Sequence, residues 1–169
     1  NEYMIHANLN KMRKDAVDIF HAGLKAVDPV AAVRRCVSLD HGKLTIGAKT
    51  FDLSQVKDIF VVGAGKASGA MAAALEEILA DRITGGLVVV KYGHAVNLSH
   101  VSLVEAGHPV PDKNGQEGAE RIRKHIARAG IGDLVLCLIS GGGSALLPSP
   151  APGLTLADKQ VTIQVLLSC

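Results

Sequence analysis

The chain has 169 residues, of which 48% are hydrophobic and 20% charged, so it is long enough for one globular domain with its own core. A formal net charge of +2 is too small to imply a polyanionic partner. An aromatic content of 3%, without tryptophan, argues against the stacking surfaces that bind single-stranded nucleic acids. We therefore expect no nucleic-acid partner, and no membrane partner because no apolar run approaches the ~18 residues of a membrane helix.

The chain has three cysteines, which are widely spaced and odd in number. This pattern is typical of a reduced intracellular protein and lacks the spacing of metal ligands. We expect a cytoplasmic location, or a mitochondrial one in a eukaryote, and no protein-bound metal. Cys137 lies inside an apolar run and is predicted to be a small core residue.

The first third of the chain predicts two helices and a small β element. Apolar residues recur at intervals of three and four from Leu9 to Leu24, which indicates an amphipathic helix. Asp28 and Pro29 suit the N-cap and first position of a second helix. Residues 37–53 alternate loosely and contain glycine turns, which predicts short antiparallel strands.

From residue 58 the pattern becomes strand, glycine turn and helix. Strands are predicted at 59–62, 87–90, 101–104 and 134–139, and helices at 67–79, 114–129 and from Thr155, where Asp158 completes a capping box. The alternation predicts a single α/β domain over residues 1–169, with a doubly wound, mostly parallel sheet and helices on both faces. This is a Rossmann-like, three-layer arrangement. The six apolar residues of 134–139 predict a strand buried on both faces.

The most informative motif is Ser140-Gly141-Gly142-Gly143-Ser144, directly after the last predicted strand. Three glycines allow a sharp turn whose backbone N–H groups can approach a ligand closely. Ser144 could cap a helix that begins there. A strand, a glycine turn and a helix start together form an anion-binding cradle. We therefore predict a phosphate-binding loop.

A second glycine turn, Gly63-Ala64-Gly65-Lys66, also follows a predicted strand. A lysine at a helix start is unfavourable for the helix dipole unless an anion binds between them, so Lys66 is a candidate for phosphate or carboxylate binding. The turn is not a dinucleotide fingerprint, because the third glycine comes one residue late. Moreover, Lys91 begins the segment where a ribose-binding carboxylate is expected.

The loop from Gly107 to Asp112 contains two prolines, which restrict the backbone around His108 and Asp112. Either side chain could bind a substrate or titrate near neutral pH. His94 follows the strand 87–90 in another loop. All four loops leave the carboxyl ends of predicted parallel strands, the edge where ligands bind in open α/β sheets. The anion-seeking groups there favour a phosphorylated or carboxylated ligand.

These motifs, in this order, resemble the glycerate 2-kinases that carry a C-terminal MOFRL domain and are sometimes described as hydroxypyruvate reductases. The resemblance covers about residues 10–169 and is carried by segments 61–67, 91–94, 107–112, 138–146 and 155–160. It implies transfer of the γ-phosphoryl group of ATP to the 2-hydroxyl of D-glycerate, with magnesium carried by the nucleotide. It also implies that the chain is the N-terminal part of a two-domain enzyme whose MOFRL domain is absent. Little activity is then expected from the chain alone.

The resemblance assigns roles to individual residues. Lys66 would be the catalytic cation that faces the transferred phosphoryl group or the substrate carboxylate. The residues implied to bind phosphate or nucleotide are Gly63, Gly65, Ser140, Gly141, Gly142, Gly143 and Ser144. His94, His108 and Asp112 would shape the substrate site, and none of them is assigned as the catalytic base.

Two other functions remain open. Sugar-isomerase-type modules bind sugar phosphates with a glycine turn and a serine-rich loop, and binding of a phosphosugar without ATP would favour that class. An NAD(P)-dependent hydroxypyruvate reductase is the other alternative, which titration with a nicotinamide cofactor would test. A homodimer is also left open.

Overall fold

The computed structural model describes residues 2–169, with side chains from residue 8 onward. Its helices are α1 (Glu2–Ala26), α2 (Pro29–Cys36), α3 (Ser68–Leu79), α4 (Lys113–Ile126), α5 (Gly143–Leu146) and α6 (Leu156–Leu167). Its strands are β1 (Val37–Asp40), β2 (Lys43–Ile46), β3 (Lys49–Asp52), β4 (Ile59–Ala64), β5 (Gly85–Lys91), β6 (Ser102–Ala106) and β7 (Leu134–Ile139). A 3-10 turn, Ala80–Arg82, follows α3. No helix within residues 2–169 has the length and apolar character that crossing a membrane requires.

The local signals in the first third of the chain are confirmed. Asp28 caps α2, because its Oδ1 accepts a hydrogen bond from the N–H of Ala31 at 2.7 Å, and Pro29 is the first helical residue. Strands β1, β2 and β3 form a separate antiparallel sheet in that order. Leu44 of β2 is completely buried and ties this small sheet to the main core.

The main sheet has four parallel strands in the order β6-β5-β4-β7. The chain builds outward from β4 through β5 to β6, and then returns to place β7 on the other side of β4. The predicted doubly wound, Rossmann-like α/β fold is therefore confirmed. The direction of winding reverses between β4 and β7, and such a switch point opens a crevice at the carboxyl edge of a parallel sheet.

Helices cover both faces of the sheet. On one face, α3 and α2 pack with the buried side chains of β4 and β5, including Val61 and Val88. On the other face, Ile122 of α4 and Leu146 of α5 pack against Val62, with further core residues from β5 and β6. This double coverage explains why β4 and β5 read as nearly continuous apolar runs.

Strand β7 departs from its prediction. Residues 134–139 were expected to be buried on both faces, but Val135 is 38% and Ile139 58% exposed, and Cys137 is exposed as well. The prediction that Cys137 is a core residue is therefore wrong. These three side chains share the face of Val62, which α4 and α5 cover only over the inner strands. An edge strand can have a free face even when its sequence is entirely apolar, because the neighbouring helix decides what is covered.

The last predicted helix and its start signal are confirmed. Thr155 caps α6 in a capping box: its Oγ1 accepts from the N–H of Asp158 at 3.2 Å, and Asp158 Oδ2 accepts from the N–H of Thr155 at 2.7 Å. The side chain of Gln160 donates to the carbonyl of Pro111 at 2.8 Å, which connects α6 to the loop after β6. Helix α6 therefore lies beside the carboxyl edge of the sheet.

One carboxylate, which no sequence motif singled out, holds the long connection between β5 and β6. Glu76 of α3 accepts hydrogen bonds from the backbone N–H groups of Ser99, His100 and Val101, each at 2.8 Å. Partial burial by itself would raise the pKa of Glu76, but the three N–H donors outweigh it, so this pKa lies below its ordinary value. The ionised side chain therefore stabilises the fold.

Replacing Glu76 with glutamine should lower the free energy of unfolding by about 1–3 kcal/mol at neutral pH, because a neutral amide oxygen accepts these bonds more weakly. A depressed pKa contributes stability above the unfolded-state pKa and loses it as pH falls through the folded-state pKa. The difference between the two proteins should therefore shrink on acidification below about pH 4. Urea unfolding of both proteins at several pH values measures this difference in the free energy of unfolding. Glu77→Gln is the matched control, since Glu77 makes only an exposed ion pair with Arg34; an equal effect of both changes would contradict the assignment.

Candidate functional site

Four loops meet at the carboxyl edge of the main sheet, as the parallel pairing of their strands requires. They follow β4, β5, β6 and β7. The two glycine loops, after β4 and β7, lie side by side at the switch point.

The two glycine loops are joined by hydrogen bonds. The N–H of Lys66 donates to the carbonyl of Gly141 at 3.0 Å, and the N–H of Ala67 donates to Oγ of Ser140 at 3.0 Å. The N–H of Gly65 donates to a carbonyl of β5. The N–H groups of Gly65, Lys66 and Ala67, which lie just before α3, are thus already paired within the protein. The hydroxyl of Ser140 likewise serves the loop–loop contact.

Gly63 and Gly65 permit the close approach of the two loops. A Cβ on Gly63 would lie 2.2 Å from the carbonyl oxygen of Leu138, its partner on β7. Gly65 has φ +144°, and a Cβ there would lie 2.0 Å from Oγ of Ser140. Both glycines therefore have a packing role, and their predicted role in binding phosphate stays a prediction.

The second loop carries unpaired backbone donors. Within the described chain, the N–H groups of Gly141, Gly142 and Ser144 donate to no protein acceptor, whereas those of Ser140 and Gly143 are paired. Gly142 has φ +92°, a left-handed conformation that favours glycine. Successive free N–H groups around such a turn form a concave surface for an anion.

Lys66 lies over this concave surface. Its Cε is 3.6 Å from the position that a Cβ on Gly142 would take, and the side chain is exposed to solvent. The backbone of Lys66 binds Gly141, so the same residue joins the loops and presents an ammonium group beside the free N–H donors. A positive charge and unpaired N–H groups at one point are the requirements for holding phosphate or carboxylate.

Ser144 does not cap a helix, contrary to prediction. The N-cap of α5 is Gly142, without a side-chain hydrogen bond, and Ser144 lies in the first turn of this four-residue helix. The left-handed conformation of Gly142 makes it the N-cap, so the helix begins two residues earlier than it would with Ser144 as its cap. The hydroxyl of Ser144 is consequently left exposed beside the free backbone donors.

His108 forms one wall of the same site. The Cδ2 and Nε2 atoms of its ring are 2.7 and 2.8 Å from the position of a Cβ on Gly142, so only glycine leaves room for the imidazole. The peptide bond between His108 and Pro109 is cis. Burial, and then the positive charges of Lys66 and Lys91, hold the pKa of His108 below its ordinary value. The ring is therefore neutral at physiological pH.

Both carboxylate oxygens of Asp112 accept hydrogen bonds that hold its own loop in place. Its Oδ1 caps α4 by accepting from the N–H of Gly115 at 2.9 Å, and its Oδ2 accepts from the hydroxyl of Tyr92 at 2.7 Å. Partial burial would raise the pKa of Asp112, but these donors outweigh it and the pKa lies below its ordinary value. The side chain of Asn114 donates to the hydroxyl of Tyr92 at 3.0 Å. Asp112 thus orients the segment that carries His108.

His94 lies at the border of the site. Its Nδ1 is 3.1 Å from the carbonyl oxygen of Lys66, and the side chain is exposed. This contact connects the loop after β5 with the turn that carries the lysine. Within the described residues, no group of three or more His, Cys, Asp or Glu side chains is placed to hold a metal ion.

Sequence reasoning placed the loops correctly but missed which groups are free within them. Tyr92, Asn114 and the three unpaired N–H groups were not singled out, because their importance depends on contacts between separate loops. One missed feature did have a signal. Gly86 is a glycine within a strand, which indicates close backbone approach, and a Cβ there would lie 1.8 Å from the carbonyl oxygen of Val61.

The fold is a doubly wound α/β domain whose carboxyl edge carries a lysine beside unpaired backbone N–H groups. The family model described as "Domain of unknown function (DUF4147)" matches residues 15–169. The chain belongs to this domain family.

Curated relatives extend the comparison. The chain is 38% identical over 159 residues to the glycerate 2-kinase of Pyrococcus horikoshii and 33% identical over 157 residues to the D-glycerate 2-kinase of Thermotoga maritima, covering 90% and 92% of this chain. It is 53% identical over 108 residues, or 64% of its length, to an Agrobacterium vitis protein named as a provisional hydroxypyruvate reductase. The matches cover 35%, 34% and 28% of these relatives. The chain thus spans about a third of the length of the curated relatives it matches.

Two solved structures share the fold. A crystal structure of a Pyrococcus horikoshii protein superposes with a TM-score of 0.80 at 36% identity, covering 93% of this chain and 35% of that one. A crystal structure of glycerate kinase from Thermotoga maritima gives a TM-score of 0.73 at 31% identity, covering 94% and 35%.

Proposed function

We propose that this chain is the N-terminal domain of a glycerate 2-kinase, which transfers the γ-phosphoryl group of ATP to the 2-hydroxyl of D-glycerate. The observation that carries the proposal is the ammonium group of Lys66 beside the unpaired N–H groups of Gly141, Gly142 and Ser144. Relatives named glycerate 2-kinase, aligned over about nine-tenths of this chain, support it.

The proposed chemistry suits this arrangement. Phosphoryl transfer depends mainly on positioning and on stabilising the negative charge of the transferred group. Lys66 and the N–H groups of the loop would hold either the γ-phosphoryl group or the carboxylate of glycerate. The proposal places magnesium on the phosphates of ATP, where kinases carry it.

The proposal includes a second, C-terminal domain that completes the active site. The relatives named as kinases are about three times as long as this chain, since it covers 35% and 34% of them. Lys66, Gly141 and Ser144 are all exposed in the described structure, and a kinase site must exclude water from the reacting groups. We therefore expect little ATP-dependent phosphorylation of glycerate by the 169-residue chain alone. A homodimer and a cytoplasmic location stay predictions.

The two alternative functions, a nicotinamide-dependent reductase and a phosphosugar-binding module, require different groups at the carboxyl edge of the sheet. A nicotinamide-dependent reductase of this fold needs a carboxylate that binds the ribose at the end of β5, the second strand of the main sheet in chain order. This position is occupied by Lys91. In addition, the N–H groups of the first glycine turn are already paired. A phosphosugar-binding module would use the same anion-binding loop but would not bind ATP.

A binding experiment on the chain tests the loop directly. Titration of the 15N-labelled protein with magnesium-ATP, and separately with D-glycerate, should shift the amide signals of Gly141, Gly142 and Ser144 most strongly. The amides of Gly65 and Lys66 should shift less, because they donate to protein carbonyls. Shifts with a sugar phosphate but none with ATP would favour the isomerase-type module instead.

An activity assay tests the whole proposal. The complete protein that carries these residues should convert ATP and D-glycerate into equal amounts of ADP and 2-phosphoglycerate, which 31P NMR identifies by the position of the ester. NADH-dependent reduction of hydroxypyruvate without ADP formation would overturn the kinase assignment. Robust turnover by residues 1–169 alone would overturn the need for a second domain.

A further inference from the structure

The imidazole of His108 has no hydrogen-bonding role within the described chain. In the described chain no other residue hydrogen-bonds to its ring, although Asp112 in the same loop has partners for both carboxylate oxygens. The ring is half-buried, and its Cδ2–Nε2 edge packs against Gly142. It therefore faces the surface that carries the unpaired N–H groups.

The charges around His108 determine its protonation state. Lys66 lies in the turn before α3 and Lys91 at the end of β5, and both oppose protonation of the ring. The nearby carboxylate of Asp112 is engaged by the N–H of Gly115 and the hydroxyl of Tyr92. A neutral imidazole beside a lysine ammonium can accept a proton while the ammonium holds an anion.

Resting on the proposed kinase function, we propose that His108 is the catalytic base that accepts the proton of the substrate hydroxyl. The O–H bond of the glycerate 2-hydroxyl breaks and its proton moves to Nε2 of His108. The oxygen forms a bond to the γ-phosphorus, and the bond from that phosphorus to the bridging oxygen breaks, so that the electron pair leaves with ADP. The imidazolium then releases the proton to water.

The neighbouring contacts give the other loop residues a positioning role. Tyr92 and Asp112 fix the segment from Gly107 to Asp112 through their hydrogen bond. The ring of His108 and Cε of Lys66 both lie within 4 Å of the point that a Cβ on Gly142 would take, which places a cation for the anionic group and a base for the hydroxyl within one small site. A 2-hydroxy acid offers both groups on adjacent carbons, so D-glycerate suits the pair.

His108→Gln in the complete protein should lower kcat about 100-fold or more, because a positioned general base contributes roughly 10²–10⁴. The KM values for ATP and D-glycerate should change less than about threefold, since Lys66 and the loop N–H groups remain. The acid limb of the wild-type kcat/KM profile, with its midpoint below the ordinary histidine range, should disappear in the variant. His108→Asn gives a second test with a different side-chain length, and urea unfolding verifies that each variant is folded.

His125→Gln is the matched control, because His125 lies in the last turn of α4, away from the site; it should keep both kcat and the acid limb. An active wild-type enzyme whose His108→Gln and His108→Asn forms retain kcat and the acid limb would overturn the role of His108 alone. A complete protein that forms no ADP from ATP and D-glycerate would overturn the proposed function, and this inference with it.

Discussion

Replacing Lys66 with methionine is expected to lower kcat of the complete protein about 100- to 1000-fold, the effect of removing one preorganised charge donor from a transition state. Methionine keeps much of the length and apolar surface of the lysine side chain but carries no charge. The backbone contact from the N–H of Lys66 to Gly141 should survive, so the two glycine loops should stay joined. The loss is therefore expected in catalysis and anion binding, with little change in stability.

The measurement is steady-state kinetics with ATP and D-glycerate, together with calorimetric titration of magnesium-ATP. Lys49→Met is the matched control, since Lys49 is an exposed residue of β3 in the small antiparallel sheet. We expect the control to retain wild-type kcat. If Lys66→Met instead retained full turnover, the cation would have no part in the mechanism, and the kinase proposal would lose the observation that carries it.

Replacing Gly86 with alanine is expected to destabilise the chain by about 3 kcal/mol or more. The added Cβ would lie 1.8 Å from the carbonyl oxygen of Val61, the residue that Gly86 faces on β4. This neighbour is backbone within a central strand pair, so it cannot move as a flexible side chain would. The strands must separate or shift register, and either change weakens the pairing that positions the loops after β4 and β5.

Urea unfolding and thermal melting measure this effect, and 3 kcal/mol corresponds to a fall of roughly 6–12 °C in Tm for a domain of this size. Gly85→Ala is the matched control, because Gly85 is the adjacent residue of β5 and nothing lies within 4 Å of its added Cβ. The control should change stability by no more than about 1 kcal/mol, since alanine also restricts the unfolded chain. Equal stability of the two variants would refute the close backbone contact.

Patterns in the sequence predicted most of the architecture because they report local preferences and one-sided burial. Asp28 with Pro29, and Thr155 with Asp158, mark helix starts through hydrogen bonds within a few residues, and both are confirmed. The alternation of apolar strands with helices predicted the parallel sheet, which the strand order confirms. The carboxyl-edge position of the loops followed from the same alternation.

Only the tertiary structure decided which strand lies at the centre of the sheet and which backbone N–H groups lack a hydrogen-bond acceptor. The apolar run 134–139 resembles a doubly buried strand, yet Val135, Cys137 and Ile139 are exposed because β7 is an edge that α4 does not cover. A sequence pattern records how apolar a strand is, whereas burial depends on what packs against it.

The same distinction applies to the site. The sequence motifs predict anion binding at both glycine turns, the one with Lys66 and the one after β7. They do not indicate which of the two has unpaired N–H groups. Contacts between distant loops consume the N–H groups of Lys66 and Ala67 and leave those of Gly141, Gly142 and Ser144 unpaired. The sequence motifs give the residue types at the site. Which backbone N–H groups are free to bind a ligand depends on hydrogen bonds between segments about 70 residues apart in the chain.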